Sequence, residues 1–124
     1  MTNTETTTNI QTISTENLEQ SLQEGGEFQF WNVLTDDYFN GEMIPGSRRV
    51  SLDKIGREVH DAKLSKESKI VVYCAGPKCP QSAMAAQKLT DLGFTNVLAY
   101  EGGLEEWKNA AHSIESLVTQ SATV

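Results

Sequence analysis

Cysteine is scarce in this chain: Cys74 and Cys79 are the only two among 124 residues. At most one intrachain bridge can form, which excludes a disulfide-stapled scaffold. Basic residues are missing from the first 47 positions, and the first one is Arg48. Glu5, Glu16, Glu19, Glu24, Glu27, Asp36, Asp37 and Glu42 precede it, so residues 1–47 carry a formal −8. Residues 48–124, with ten basic against nine acidic residues, carry +1. No basic cluster interleaved with aromatics occurs, which argues against a nucleic-acid partner. The opening MTNTETTTN has neither a basic n-region nor an apolar h-region, so no signal peptide is read there. No window approaches the roughly 20 apolar residues that span a bilayer, and no membrane association is expected. The resulting expectation is a cytoplasmic protein with reduced thiols, whose acidic first half is a solvated surface.

What is present suffices for one domain. At 38% hydrophobic residues the chain can bury a modest core. Residues 1–9, rich in threonine, read as a disordered tail, 10–118 as the domain and 119–124 as a C-terminal tail. IQTI (10–13) suggests a short strand. Ser14 or Thr15 can cap a helix with Leu18 and Leu22 on one face, ended by Gly25-Gly26. FQFWNVL (28–34) reads as a buried strand, DDYF (36–39) as one helical turn, IPGS (44–47) as a turn, and RRVSL (48–52) as another strand. A brief helix is expected over 53–60.

The second half is more regular. KIVVYC (69–74) is β-branched and unalternating, the pattern of a central strand covered on both faces. From Ser82 the spacing of Ala85, Leu89 and Leu92 predicts a helix, with Gly93 just past its end. NVLAY (96–100) is the next strand, and Gly102-Gly103 turn into a helix over 104–111. Strand, helix and strand within about thirty residues imply a right-handed βαβ unit and a parallel sheet. Trp31 and Trp107 read as core residues, and His60 and His112 as surface residues.

Both cysteines lie in the loop of that unit, IVVYCAGPKCPQSAMAAQKL (70–89). Sites in parallel α/β sheets form beyond the carboxyl ends of the strands, where Cys74 stands. A helix N-terminus follows, whose free N–H groups favour an anion. Cysteines so placed can have pKa values of roughly 3.5 to 7.5, so Cys74 is expected to be an ionised nucleophile. Cys79 is open to three readings: a second nucleophile, a resolving thiol or an incidental loop residue. Two cysteines supply only half a structural zinc site, and neither histidine has ligand spacing, so no metal is expected. Position 80 is Pro80, where a phosphatase loop of this spacing would carry Arg.

These residues together resemble the single-domain rhodanese-like sulfurtransferases over roughly residues 10–115. The likeness is carried by VVYC, then SAMAAQKLTDLGFTNVLAYEGGLEEW, and by FWNVLTDDYFNGEMIPGS in the first half. It implies a three-layer α/β fold with a five-stranded, mainly parallel sheet and helices on both faces. It also implies that Cys74 takes a sulfane sulfur from a small donor, holds it as Cys–S–SH and passes it to a thiol acceptor, without a cofactor. Ala75, Gly76, Pro77, Lys78, Gln81 and Ser82 would then line the substrate site, with the N–H groups of Gly76, Lys78 and Cys79 on the anion. Arg48 and Arg49 are further candidates there. Seven residues separate Cys74 from Ser82 where the family has five, and the family's loop Arg is absent. Asn32, Leu34 and Glu42-Met43 stand where its Asp, Arg and His do, which counts against thiosulfate as the donor. Two other readings stay open: a thiol–disulfide switch of Cys74 with Cys79, and a catalytically silent binding module of the same fold.

Overall fold

The computed structural model describes residues 10–25, 28–110, 112 and 114–116. The expected tails at 1–9 and 119–124 lie outside them, as does Gly26. The elements, in chain order, are α1 (Thr15–Glu24), β1 (Gln29–Asn32), β2 (Glu42–Met43), β3 (Arg48–Arg49) and α2 (Ile55–Ala62). They continue with β4 (Ile70–Tyr73), α3 (Gln81–Asp91), β5 (Val97–Tyr100), α4 (Gly103–Asn109) and β6 (Glu115–Ser116). A single 3-10 turn, Leu52–Lys54, leads into α2.

Four strands form a wholly parallel sheet in the order β3-β1-β4-β5. The strand expected over 10–13 shrinks to one parallel bridge, Thr12 to Ala99, so among the described residues the sheet has four strands and not five. Its hydrogen bonds run from Ile13 N to Ala99 O and from Ala99 N to Gln11 O. A pair that the sequence pattern missed, β2 with β6, forms a separate antiparallel ribbon.

Alternation along β1 and β4 divides the core. Trp31, Val33, Ile70 and Val72 face Ile55 of α2 and Ala85, Ala86 and Leu89 of α3. Phe30, Leu34, Val71 and Tyr73 face Leu18 of α1 and Leu104 and Trp107 of α4. The sheet is therefore covered on both faces, which is why IVVY needs no polar position. Leu92, expected on the core face of α3, is instead 38% exposed, because the helix ends at Asp91 and Gly93 turns away at φ 102°. Ser14 caps α1 by accepting from Asn17 N, and Gly25 closes it at φ 72°. DDYF makes the single turn expected of it, with Tyr38 N and Phe39 N both donating to the Thr35 carbonyl. No helix among the described residues is long and apolar enough to cross a membrane.

Candidate functional site

The βαβ unit β4-α3-β5 puts the 74–80 loop at the carboxyl edge of the sheet. Two helices fix it from different sides. At the start of α4 the N–H groups of Leu104 and Glu105 donate to the carbonyls of Cys74 and Ala75, at 3.1 and 2.8 Å. Such close approach needs Gly103 in the left-handed region, φ 58°. A Cβ there would overlap the Cys74 carbonyl oxygen and lie 2.8 Å from the Gly76 nitrogen. At the start of α3, Gln81 reaches back to the loop after β1. Its Oε1 accepts from Thr35 N at 3.0 Å and its Nε2 donates to Thr35 Oγ1 at 3.1 Å.

Within this frame Cys74 is fully buried, and its thiol donates to the Cys79 carbonyl at 3.4 Å. Burial, and next the neighbouring Cys79 thiol, push its pKa up from 9.0 to about 11. The hydroxyl and backbone N–H of Ser82 pull the other way, favouring the anion, but less strongly. The expected ionised thiolate is thus corrected: the resting group is a sealed, neutral thiol. The expected amide cradle is altered too, because Cys79 N–H is spent on the Gly76 carbonyl at 3.0 Å. Ser82 is the residue that favours the anion there. Its buried hydroxyl has no hydrogen-bond partner among the described residues.

Cys79 is in a different position. It is half-buried and lines a cleft of about 380 Å³ with Ala75, Lys78, Gln81, Leu34, Tyr38, Pro80 and Met84. None of the last four was a candidate site residue in the sequence, where Leu34 and Pro80 were noted only for standing in place of an Arg. Met84 lies one helical turn after Gln81, a spacing that places both on one face of α3. Tyr38 and Met84 are 69% and 52% exposed. Lys78 has no ion-pair partner among the described residues.

The remaining candidates sit elsewhere. Gly76 packs against Glu105, and Pro77 is exposed outside the cleft. Arg48 pairs with Glu58, and Arg49 binds the Leu34 carbonyl at 2.6 Å and Asp36 at 2.8 Å over the Phe39 ring. Neither arginine lines the cysteine cleft, since β3 lies two strands from the β4–β5 edge. Asn32 is buried and satisfied: its Oδ1 accepts from Leu34 N and from Arg49. His60 is exposed as expected, but His112 stacks on Trp107 and faces Glu19 at 3.2 Å. No group of three or more His, Cys, Asp or Glu among the described residues is placed to hold a metal ion.

Comparison with known proteins bears on this arrangement. The family described as Rhodanese-like domain matches residues 14–110. The thiosulfate sulfurtransferase GlpE of Coxiella burnetii is 32% identical over 77 residues, 62% of this chain and 68% of the relative. A crystal structure of a Bacillus halodurans protein superposes with a TM-score of 0.76 at 28% identity, covering 87% of this chain and 78% of that one. The rhodanese-like domain of the Anabaena Alr3790 protein gives 0.73 at 25%, covering 87% and 80%.

Proposed function

This chain belongs to the rhodanese-like domain family, and from that premise we propose that it is a sulfurtransferase with Cys74 as its persulfide carrier. The observation that carries the proposal is Ser82: a buried hydroxyl without a partner, set with its own amide toward the Cys74 sulfur. An unpaired buried donor costs roughly 1–3 kcal/mol. A persulfide anion at Cys74 offers it a stronger acceptor than the neutral thiol does. The relative whose name states thiosulfate sulfurtransferase activity supports the same class of reaction. The sulfane sulfur then passes to a thiol, and no cofactor enters the step.

The test is turnover with an alkyl persulfide as donor and cyanide as acceptor, followed as thiocyanate. Cys74→Ser is expected to lose at least about a hundredfold in kcat. Ser82→Ala is expected to lose about tenfold, the value of one donor to a charged acceptor. Activity in Cys74→Ser equal to wild type would refute the assignment.

The packing of the two cysteines in one cluster, with the Cys74 thiol on the Cys79 carbonyl, supports a second use of the loop, a Cys74–Cys79 disulfide. Titration in glutathione redox buffers reads it directly: a pair that stays reduced at oxidising poise removes the switch.

A further inference from the structure

The sealed carrier raises the question of how a donor reaches it. In the resting fold Cys74 has no exposed surface, while the neighbouring Cys79 lies in the wall of an open cleft. The two side chains pack in one cluster, and Cys79 also provides the carbonyl that caps Cys74. The cleft is built for more than a small inorganic anion. Its volume of about 380 Å³ is in the range of small-molecule sites. Leu34, Ala75, Tyr38, Pro80 and Met84 give it an apolar lining, and Lys78 is the one charged residue among those that line it. Tyr38 and Met84 are two of the three large apolar side chains left exposed among the described residues. Their convergence beside a thiol and an unpaired ammonium group matches a ligand with an apolar body and an acidic sulfur end.

We propose that Cys79 is the entry thiol, receiving sulfur from an organic persulfide bound in this cleft and relaying it to Cys74. This rests on the sulfurtransferase reading above. In the first step Cys79 Sγ attacks the terminal sulfur of R–S–SH. The donor's S–S bond breaks, its electron pair goes to the R–S sulfur, and the Cys79 proton passes to that sulfur, giving RSH and Cys79–S–SH. In the second, Cys74 Sγ attacks the terminal sulfur of Cys79–S–SH. The Cys79 Sγ–S bond breaks, and Cys79 Sγ takes the electron pair and the proton that Cys74 gives up. The products are Cys74–S–SH and Cys79–SH. Each step exchanges one S–S bond for another, so no oxidant or reductant is consumed.

The relay accounts for the placement of both residues. The stored sulfur sits away from bulk solvent and beside Ser82. The cleft, not the carrier, then selects the donor. Lys78 holds the acidic end near Cys79, and the Tyr38–Met84 rim covers the apolar body. Pro80 and the Gln81–Thr35 bonds keep that wall fixed to the loop after β1.

The experiment is rapid quench of the full chain with benzyl persulfide, alkylation and peptide mass spectrometry that resolves Cys74 from Cys79. Added sulfur is expected on Cys79 first and on Cys74 later, and Cys74→Ser is expected to hold it on Cys79. Cys79→Ser is expected to load Cys74 at least about tenfold more slowly. Met84→Ala and Tyr38→Ser, both at exposed positions, are expected to slow loading from benzyl persulfide about tenfold and to slow loading from hydrogen disulfide by a smaller factor; equal slowing with both donors would show that the rim does not bind the apolar body. If Cys79→Ser loads Cys74 at the wild-type rate, the relay is wrong and the carrier assignment stands. If neither cysteine gains sulfur, the sulfurtransferase reading itself fails and the relay falls with it.

Discussion

At the scale of single residues, the position of Cys74 was legible and its state was not. An apolar run that stops at Cys74 marks the carboxyl end of a strand, and the structure has that strand end one residue earlier. Whether the thiol there faces solvent depends on how the next six residues fold back, and hydrophobic pattern says nothing about that. The Cys79 carbonyl closes over the sulfur, and burial outweighs the helix N-terminus. A pH profile follows from this. The thiol's folded value is raised, so its contribution to stability is complete below about pH 9 and is lost as pH rises through about 11. Iodoacetamide alkylation of Cys74 in the native protein should keep accelerating toward pH 11 instead of levelling near 9. Removing Cys79 by Cys79→Ser takes away the second cause only, so the midpoint should fall yet stay above the ordinary thiol value. A profile that levels at or below pH 9 would show the sulfur to be less buried than described.

Elements with a long periodic signature were readable, and short ones were not. The unit β4-α3-β5 carries β-branched runs and a helical Ala85–Leu89 spacing, and it stands within two residues of its expected limits. A two-residue strand has no period to detect, so β2 and β6 gave no signal, and IQTI overstated what is a single bridge. Gly25 and the Gly102-Gly103 pair signalled turns correctly but not their purpose. Gly103 is the point where α4 touches the cysteine loop, and substitution there meets backbone that cannot move aside. Gly103→Ala is expected to cost at least about 2 kcal/mol in urea unfolding, from the left-handed backbone and the overlap together. Gly56 in α2 has open space around it and an ordinary φ, so Gly56→Ala should add about 0.5–1 kcal/mol. Equal effects at the two sites would contradict the account of the α4 clamp.

For the molecule as a whole, two cores share one sheet. Ile55 lies in the cluster under α2 and α3, and Ile44 in the one under α1 and α4. Ile55→Val and Ile44→Val should each cost about 0.5–1.5 kcal/mol and combine additively within about 0.5. A larger coupling energy would mean that the layers are not independent. The charge asymmetry of the sequence also finds a place at this scale. Asp36 and Glu42 of the acidic half meet Arg49 and Lys108 of the other, at 2.8 and 2.5 Å. That pairing was not visible in composition, which shows totals and not neighbours. The proposed sulfur chemistry would depend on the same assembly, because Ser82 on α3 lies by the Cys74 thiol and the Leu104 N–H of α4 holds the carbonyl of the same residue. Its most direct measurement is the mass of the Cys74 peptide after persulfide treatment and after later addition of a thiol. One extra sulfur, about 32 Da, should appear on Cys74 and vanish when the thiol is added. A Cys74 peptide that never gains that mass, in a protein still folded, would contradict the central claim.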